Sequence, residues 1–327
     1  MKLKNFLLLQ FFLFISFKLY SNERISNWIR AFTSPWSYSN QDIIKDYLEF
    51  YRLDFNNVAH FFSFLSNESY SVFVHEIYPS HADTTIIFFH GYLSHSGLFS
   101  DFYQYFLERG FGIVSVDLPG HGLSSGLRTG INDFLEYANV VKLVYDKVAT
   151  NGKKVVLLGH STGCAAIYEF IVHYNVYPKK VIFVAPLVRL ILWELATTGY
   201  NLFGESVKEL PRLKRKTTRN EKYIDFIFNR DPLGYEKVHL SWFKAAYIWN
   251  QRILKYPVIT NVSLSIIQGT SDTVVDWKYN INFLTNKFPY ARVFLLKDVE
   301  HEILIEEEYI RNKCFQIIEQ EIKDFRE

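Results

Sequence analysis

Two cysteines in 327 residues, Cys164 and Cys314, leave no room for a disulfide framework, and neither stands in a Cys-x-x-Cys or other metal-ligand spacing. Both read as free, buried thiols. The ten histidines do not cluster at ligand spacing either, so no metal site and no cofactor is expected. An excess of charge of one sign is also missing. The formal net charge is +2 and no basic stripe is interleaved with aromatics, which excludes a nucleic-acid role. The chain has no internal repeat and no low-complexity linker. Its longest apolar run, near the N-terminus, is shorter than the roughly 20 residues that span a bilayer.

Apolar surface is what the chain has in quantity. Hydrophobic residues make up 49% and aromatics 18%, enough for one large domain with an insertion. Lys2 and Lys4, the apolar stretch from Phe6 to Phe17 and the small residue Ser21 fit a secretory signal peptide over residues 1–21. A retained anchor and a cytosolic N-terminus compete with that reading, and export or membrane association is the expectation. Residues 22–65, with Trp28 and Trp36, read as an aromatic N-terminal arm packed on the domain that follows, residues 66–327.

In that domain short apolar runs alternate with helical periodicity. Alternation over Tyr70–Ile77 predicts an antiparallel edge strand. Thr84–Phe89, Phe111–Val116, Lys154–Leu158, Lys180–Ala185, Val262–Gln268 and Arg292–Leu296 read as strands, and most are apolar enough to be buried on both faces. Helices are predicted over 97–109, ending at Gly110, and over 131–149, 161–174 and 302–325. The expected class is therefore α/β, with a mostly parallel, doubly wound sheet and right-handed crossovers. The rhythm fails over about 187–256, which carries a helical patch at 241–254 and no alternation. An insertion of that length is read as a helical lid over the carboxyl edge of the sheet.

One strand stops at Gly159-His160-Ser161-Thr162-Gly163 and restarts as a helix of small residues. A serine on a sharp strand-to-helix turn needs neighbours without bulk, which Gly159 and Gly163 supply, and such a turn lifts Ser161 above the sheet edge. A serine hydroxyl becomes a nucleophile only beside a base, and the base needs an acceptor that holds its tautomer. In a parallel sheet those partners lie in loops at the same edge. The strand ending at Gln268 leads to Asp272, and the one ending at Leu296 leads to His301. Taken singly, Asp272 reads as a helix cap, with Asp276 as the fallback acid, and His301 as a helix-start or surface histidine. Ser161, Asp272 and His301 at three strand ends, in that order, form a candidate triad. Glu300 and Glu302 read as solvated. The backbone N–H groups of Thr162 and Tyr92 are the candidate oxyanion donors, and His90, His121 and His160 read as structural.

These motifs resemble the monoacylglycerol lipase and lysophospholipase group of α/β-hydrolases, the serine aminopeptidase-type family. The resemblance rests on His90-Gly91-Tyr92 with His95-Ser96, on the run Asp117 to Arg128, on Gly159 to Gly163, on Gly269-Thr270-Ser271-Asp272 and on His301-Glu302-Ile303-Leu304. It implies the α/β-hydrolase fold with a lid between its sixth and seventh strands, and a serine carboxylester hydrolase of lipid esters working through an acyl-enzyme. A peptidase or acyltransferase of the same fold, and a non-catalytic binding protein, remain as alternatives. Leu187–Trp193, Trp242-Phe243 and Tyr247–Trp249 offer apolar surface either for an acyl chain or for packing of the lid. The basic run from Lys208 to Lys222 offers either contact with a membrane surface or a solvated lid face.

Overall fold

The computed structural model describes residues 21–34, 40–149, 154–204 and 206–324. Its strands are β1 (Val58–Ser66), β2 (Ser71–Pro79), β3 (Thr84–Phe89), β4 (Phe111–Val116), β5 (Lys154–His160), β6 (Lys180–Val184), β7 (Glu209–Pro211), β8 (Lys237–His239), β9 (Ser263–Gly269) and β10 (Arg292–Leu296). The helices are α1 (residues 21–33), α2 (Gln41–Phe50), α3 (Ser100–Leu107), α4 (Phe134–Ala149), α5 (Thr162–Tyr174), α6 (Trp193–Phe203), α7 (Glu221–Asn229), α8 (Leu240–Ile253), α9 (Trp277–Lys287) and α10 (Glu308–Asp324). The segment read as a signal peptide lies outside the described residues except for Ser21, as does Trp36. Among the described residues no helix is long and apolar enough to cross a membrane.

Eight strands form one sheet in the order β1-β2-β4-β3-β5-β6-β9-β10, antiparallel at β1-β2 and β2-β4 and parallel from β4 onward. The continuous apolar runs follow from burial on both faces. In β3, Ile86 and Phe88 point into one core while Ile87 and Phe89 point into the other. The first core is closed by α1, α2, α3 and α10, the second by α4, α5, α8 and α9.

Two expectations change here. The strand predicted at the sheet edge, β2, is an interior strand: β1, from the stretch read as an arm, pairs with it along nine residues. The Asn67 side chain caps the connecting turn by accepting from Ser69 N–H and Tyr70 N–H. No strand was expected between about 187 and 256, yet β7 and β8 form a small antiparallel hairpin on either side of α7. Three-residue strands are too short to leave a periodic signal. Within the inserted segment, α8 is fixed to the body. Trp249 Nε1 donates to Glu169 on α5 (2.8 Å), and Arg252 pairs with Asp133 (2.6 Å) and Glu169 (3.2 Å). The two cysteines are free and buried, as expected.

Candidate active site

β5 ends at His160 and α5 begins at Thr162, so the chain reverses at a single residue. Ser161 takes φ +49° and ψ −109°, a conformation that a side-chain-bearing residue adopts only under tertiary constraint. The flanking glycines make it feasible. A Cβ on Gly159 would lie 2.5 Å from Cys164 N, and one on Gly163 would lie 2.0 Å from Phe89 O. Backbone meets backbone at both places, and no other residue fits. Ser161 N–H donates to Val184 O (3.0 Å), which ties the turn to β6.

The turn after β3 closes over this elbow. A Cβ on Gly91 would lie 3.2 Å from Ser161 Cβ, so the Gly91–Tyr92 peptide is a neighbour of the nucleophile position. His90 holds the turn: its Nδ1–H donates to Gly91 O (2.7 Å) and its Nε2 accepts from Leu118 N–H (2.9 Å). Burial pushes its pKa down to about 3, so it stays neutral. His121 donates from Nδ1 to Pro119 O (2.9 Å). Asp117 accepts from Ser96 N–H (2.7 Å) and Leu123 N–H (2.8 Å), knitting the two glycine-rich loops together. Tyr92, besides its backbone, donates its hydroxyl to Thr129 O (2.7 Å) and stacks on Trp242 of α8 at 4.1 Å.

At the neighbouring edge, His301 Nδ1–H donates to Asp272 Oδ2 at 2.7 Å, with both side chains buried. Asp272 is held in turn by Gln268 Nε2 (3.0 Å), Val274 N–H (2.8 Å) and Val275 N–H (3.1 Å). Burial alone would raise the Asp272 carboxyl, but His301 and the donors around it outweigh burial and hold it below the usual carboxylate range. Burial would likewise lower His301, and the Asp272 charge, their hydrogen bond and Glu302 reverse that and raise it. His160, adjacent to Ser161, brings the three strand ends together: its ring lies 5.1 Å from that of His301, and its Nε2–H donates to His301 O (3.2 Å). The strand ends carrying Ser161, Asp272 and His301 are thus assembled at one edge, with Tyr92 and Thr162 beside Ser161.

Several sequence readings are revised by their surroundings. Asp276 is the N-cap of α9 and pairs with Arg189 (2.6 Å). Glu300 and Glu302, expected to be solvated, are each partly buried, with one carboxylate oxygen out of solvent. They sit in a loop that the inserted segment covers, since Glu302 N–H donates to Thr217 O (2.9 Å) and Arg219 donates to Asp298 O (2.5 Å). Part of the basic run is therefore bound to the His301 loop and not free in solvent. Trp242 and Trp249 pack in the core, whereas Leu192, Leu195, Leu202 and Phe203 are exposed along α6.

Other supports carried no legible pattern. Gln268 orients Asp272. Asp231, from the insertion, accepts from His95 Nε2 (3.0 Å) and from Tyr51 OH (2.8 Å), pinning three remote segments behind the β3 turn. A cleft of about 1270 Å³ lined by Tyr51, Arg52, Asp101, Tyr223 and Arg311 includes none of Ser161, Asp272 and His301.

A parallel sheet with a serine elbow at one strand end and a His–Asp pair at two others defines an α/β-hydrolase. The sequence model for serine aminopeptidase, S33, matches residues 80–308, and the chain belongs to that family. It is similar to phospholipase YtpA of Bacillus subtilis, 27% identical over 238 residues that cover 68% of this chain and 89% of the relative. It is also similar to the probable lysophospholipase L2 of Haemophilus influenzae, 21% identical over 256 residues, 69% of this chain and 78% of the relative. Among solved structures, a soluble variant of monoglyceride lipase from Saccharomyces cerevisiae, in complex with a substrate analog, superposes with a TM-score of 0.69. That pair is 15% identical, covering 80% of this chain and 94% of the other.

Proposed function

We propose that the protein is a serine carboxylester hydrolase of lipid esters, of the lysophospholipase or monoacylglycerol lipase kind. The observation that carries this reading is the buried 2.7 Å His301–Asp272 pair packed, through His160, against the elbow that bears Ser161. Ser161 Oγ attacks the ester carbonyl as His301 Nε2 takes its proton, while Asp272 holds the proton on Nδ1. Thr162 N–H and Tyr92 N–H receive the developing oxyanion. His301 returns the proton to the leaving alcohol, and water then releases the fatty acid from the acyl-enzyme by the same relay. Relatives named as a phospholipase and a lysophospholipase support the lipid ester as substrate.

The exposed Leu195, Leu202 and Phe203 on α6, with Leu192 at its N-cap, form the face that meets the lipid surface, and the basic segment 212–216 follows in the same insertion. Full burial of one such side chain is worth about 1.5–3 kcal/mol, and each nearby cation adds about 1 kcal/mol on an anionic bilayer. The basic and apolar start of the chain supports export or membrane association.

Activity-based labelling with a fluorophosphonate, followed by a panel of lysophospholipids and monoacylglycerols, tests the assignment. Wild type should label and hydrolyse. Ser161→Ala should not label and should lose turnover by a factor on the order of 10⁶. Labelling with no lipid turnover would favour the peptidase or acyltransferase chemistry available to the same fold, and absence of labelling would favour a binding protein.

A further inference from the structure

His160 and Glu302 each adjoin a member of the triad, yet neither has a task in acyl transfer. Both are withdrawn from water without being satisfied. His160 Nδ1 and Glu302 Oε2 are out of solvent and have no hydrogen-bond partner among the described residues. Nδ1 is backed by Gly91, so an ion would meet the ring at Nε2, which then gives up its long 3.2 Å bond to His301 O and passes its proton to Nδ1. Glu302 Oε2 faces that same nitrogen at 3.9 Å, too far for a hydrogen bond. One ligand atom from each of His160, His301 and Glu302 lies within 4.8 Å of the other two. Two ligands of a tetrahedral ion bound at about 2.0–2.2 Å stand about 3.4 Å apart, so the 3.9 Å His160–Glu302 separation has to close by about half an ångström and no pair by more than about 1.4 Å to hold an ion.

We propose that His160, Glu302 and His301 form a binding site for a divalent transition metal ion, Zn²⁺ foremost, and that the bound ion switches the hydrolase off. Two imidazoles and one carboxylate are a donor set that suits zinc and leaves a fourth position for water. Inhibition follows whichever nitrogen His301 offers. Coordination through Nε2 consumes the lone pair that would take the serine proton, and coordination through Nδ1 displaces Asp272. Sequence spacing gives no sign of this set, because residues 160 and 301 meet only through the sheet. The inhibition rests on His301 being the base, whereas the binding does not.

Calorimetric titration of ZnCl₂ into the chelator-stripped full chain and into Ser161→Ala should show one tight ion per chain in both. The Co²⁺ forms should show the visible absorption of a tetrahedral site. Hydrolysis of a soluble ester by the wild type should fall over the same concentration range, recover with EDTA and ignore Mg²⁺. Glu302→Gln, with its fold checked by thermal melting, should weaken binding and inhibition together by about tenfold or more. Binding that is equally tight in Glu302→Gln, or inhibition that this substitution does not move, would overturn the proposal. Binding that depends on Glu302 in a chain with no esterase activity would overturn the regulatory half together with the proposed function and leave the metal site standing.

Discussion

Replacing Asp272 with Asn changes little volume but strikes a point where four donors converge. Oδ1 accepts from the N–H groups of Val274 and Val275 (2.8 and 3.1 Å), and Oδ2 accepts from Gln268 Nε2 and His301 Nδ1 (3.0 and 2.7 Å). Asparagine has one acceptor oxygen, and the two backbone donors cannot turn away, so that oxygen keeps the place of Oδ1. The amide NH₂ then sits where Oδ2 was. Gln268 can rotate its own amide and offer Oε1 only by giving up its bond to Gly269 O (2.9 Å), so the fold loses about 1–3 kcal/mol. His301 can accept from the new NH₂ only by moving its proton from Nδ1 to Nε2, and there it blocks transfer from Ser161. The turnover of Asp272→Asn should fall by about 10⁴, the loss seen when the same substitution fixes the wrong tautomer in a serine protease, or about 5 kcal/mol in the barrier. Initial rates on a p-nitrophenyl ester, with a thermal melt to show that the fold survives, make the measurement. A folded variant that keeps more than about a tenth of wild-type activity would refute the tautomer argument.

Three other outcomes are expected. His301 must be neutral to act, and its pKa is raised, so kcat/KM should fall as pH drops through an acid limb centred above the ordinary 6.5; a limb centred below pH 6 would contradict this. Gly163→Ala sets a Cβ 2.0 Å from Phe89 O and should lower stability by about 1–3 kcal/mol or more, whereas Gly199→Ala in α6, where nothing lies within 4 Å, should raise it by up to about 1 kcal/mol; paired thermal melts compare them. Leu195→Glu with Phe203→Glu, at positions 69% and 66% exposed, should leave the melting temperature unchanged and cut binding to anionic vesicles about tenfold or more in a flotation assay.

Local rules account for the parts of this protein that can be read along the chain. Runs such as Ile86–Phe89 declare strands buried on both faces because a fully apolar stretch has no other stable surroundings, and Gly159 and Gly163 bracket Ser161 because only glycine passes that close to backbone. Parallel order then sends the loops carrying Asp272 and His301 to one edge, which is why the candidate residues were legible from spacing alone. Tertiary structure decided what depends on partners remote in the chain. β1 carries no clean alternation and becomes a strand because β2 offers it an unpaired edge. Lys216 and Arg219 read as a free basic face until Thr217 is seen bonded to Glu302. Glu302 itself, a charged residue that local pattern assigns to solvent, is drawn against His160 by the registers that run from β5 through β6 and β9 to β10. Hydrophobic period and turn chemistry act over a few residues and can be read along the chain, whereas the desolvation of a charge is set by whatever the fold brings across from elsewhere.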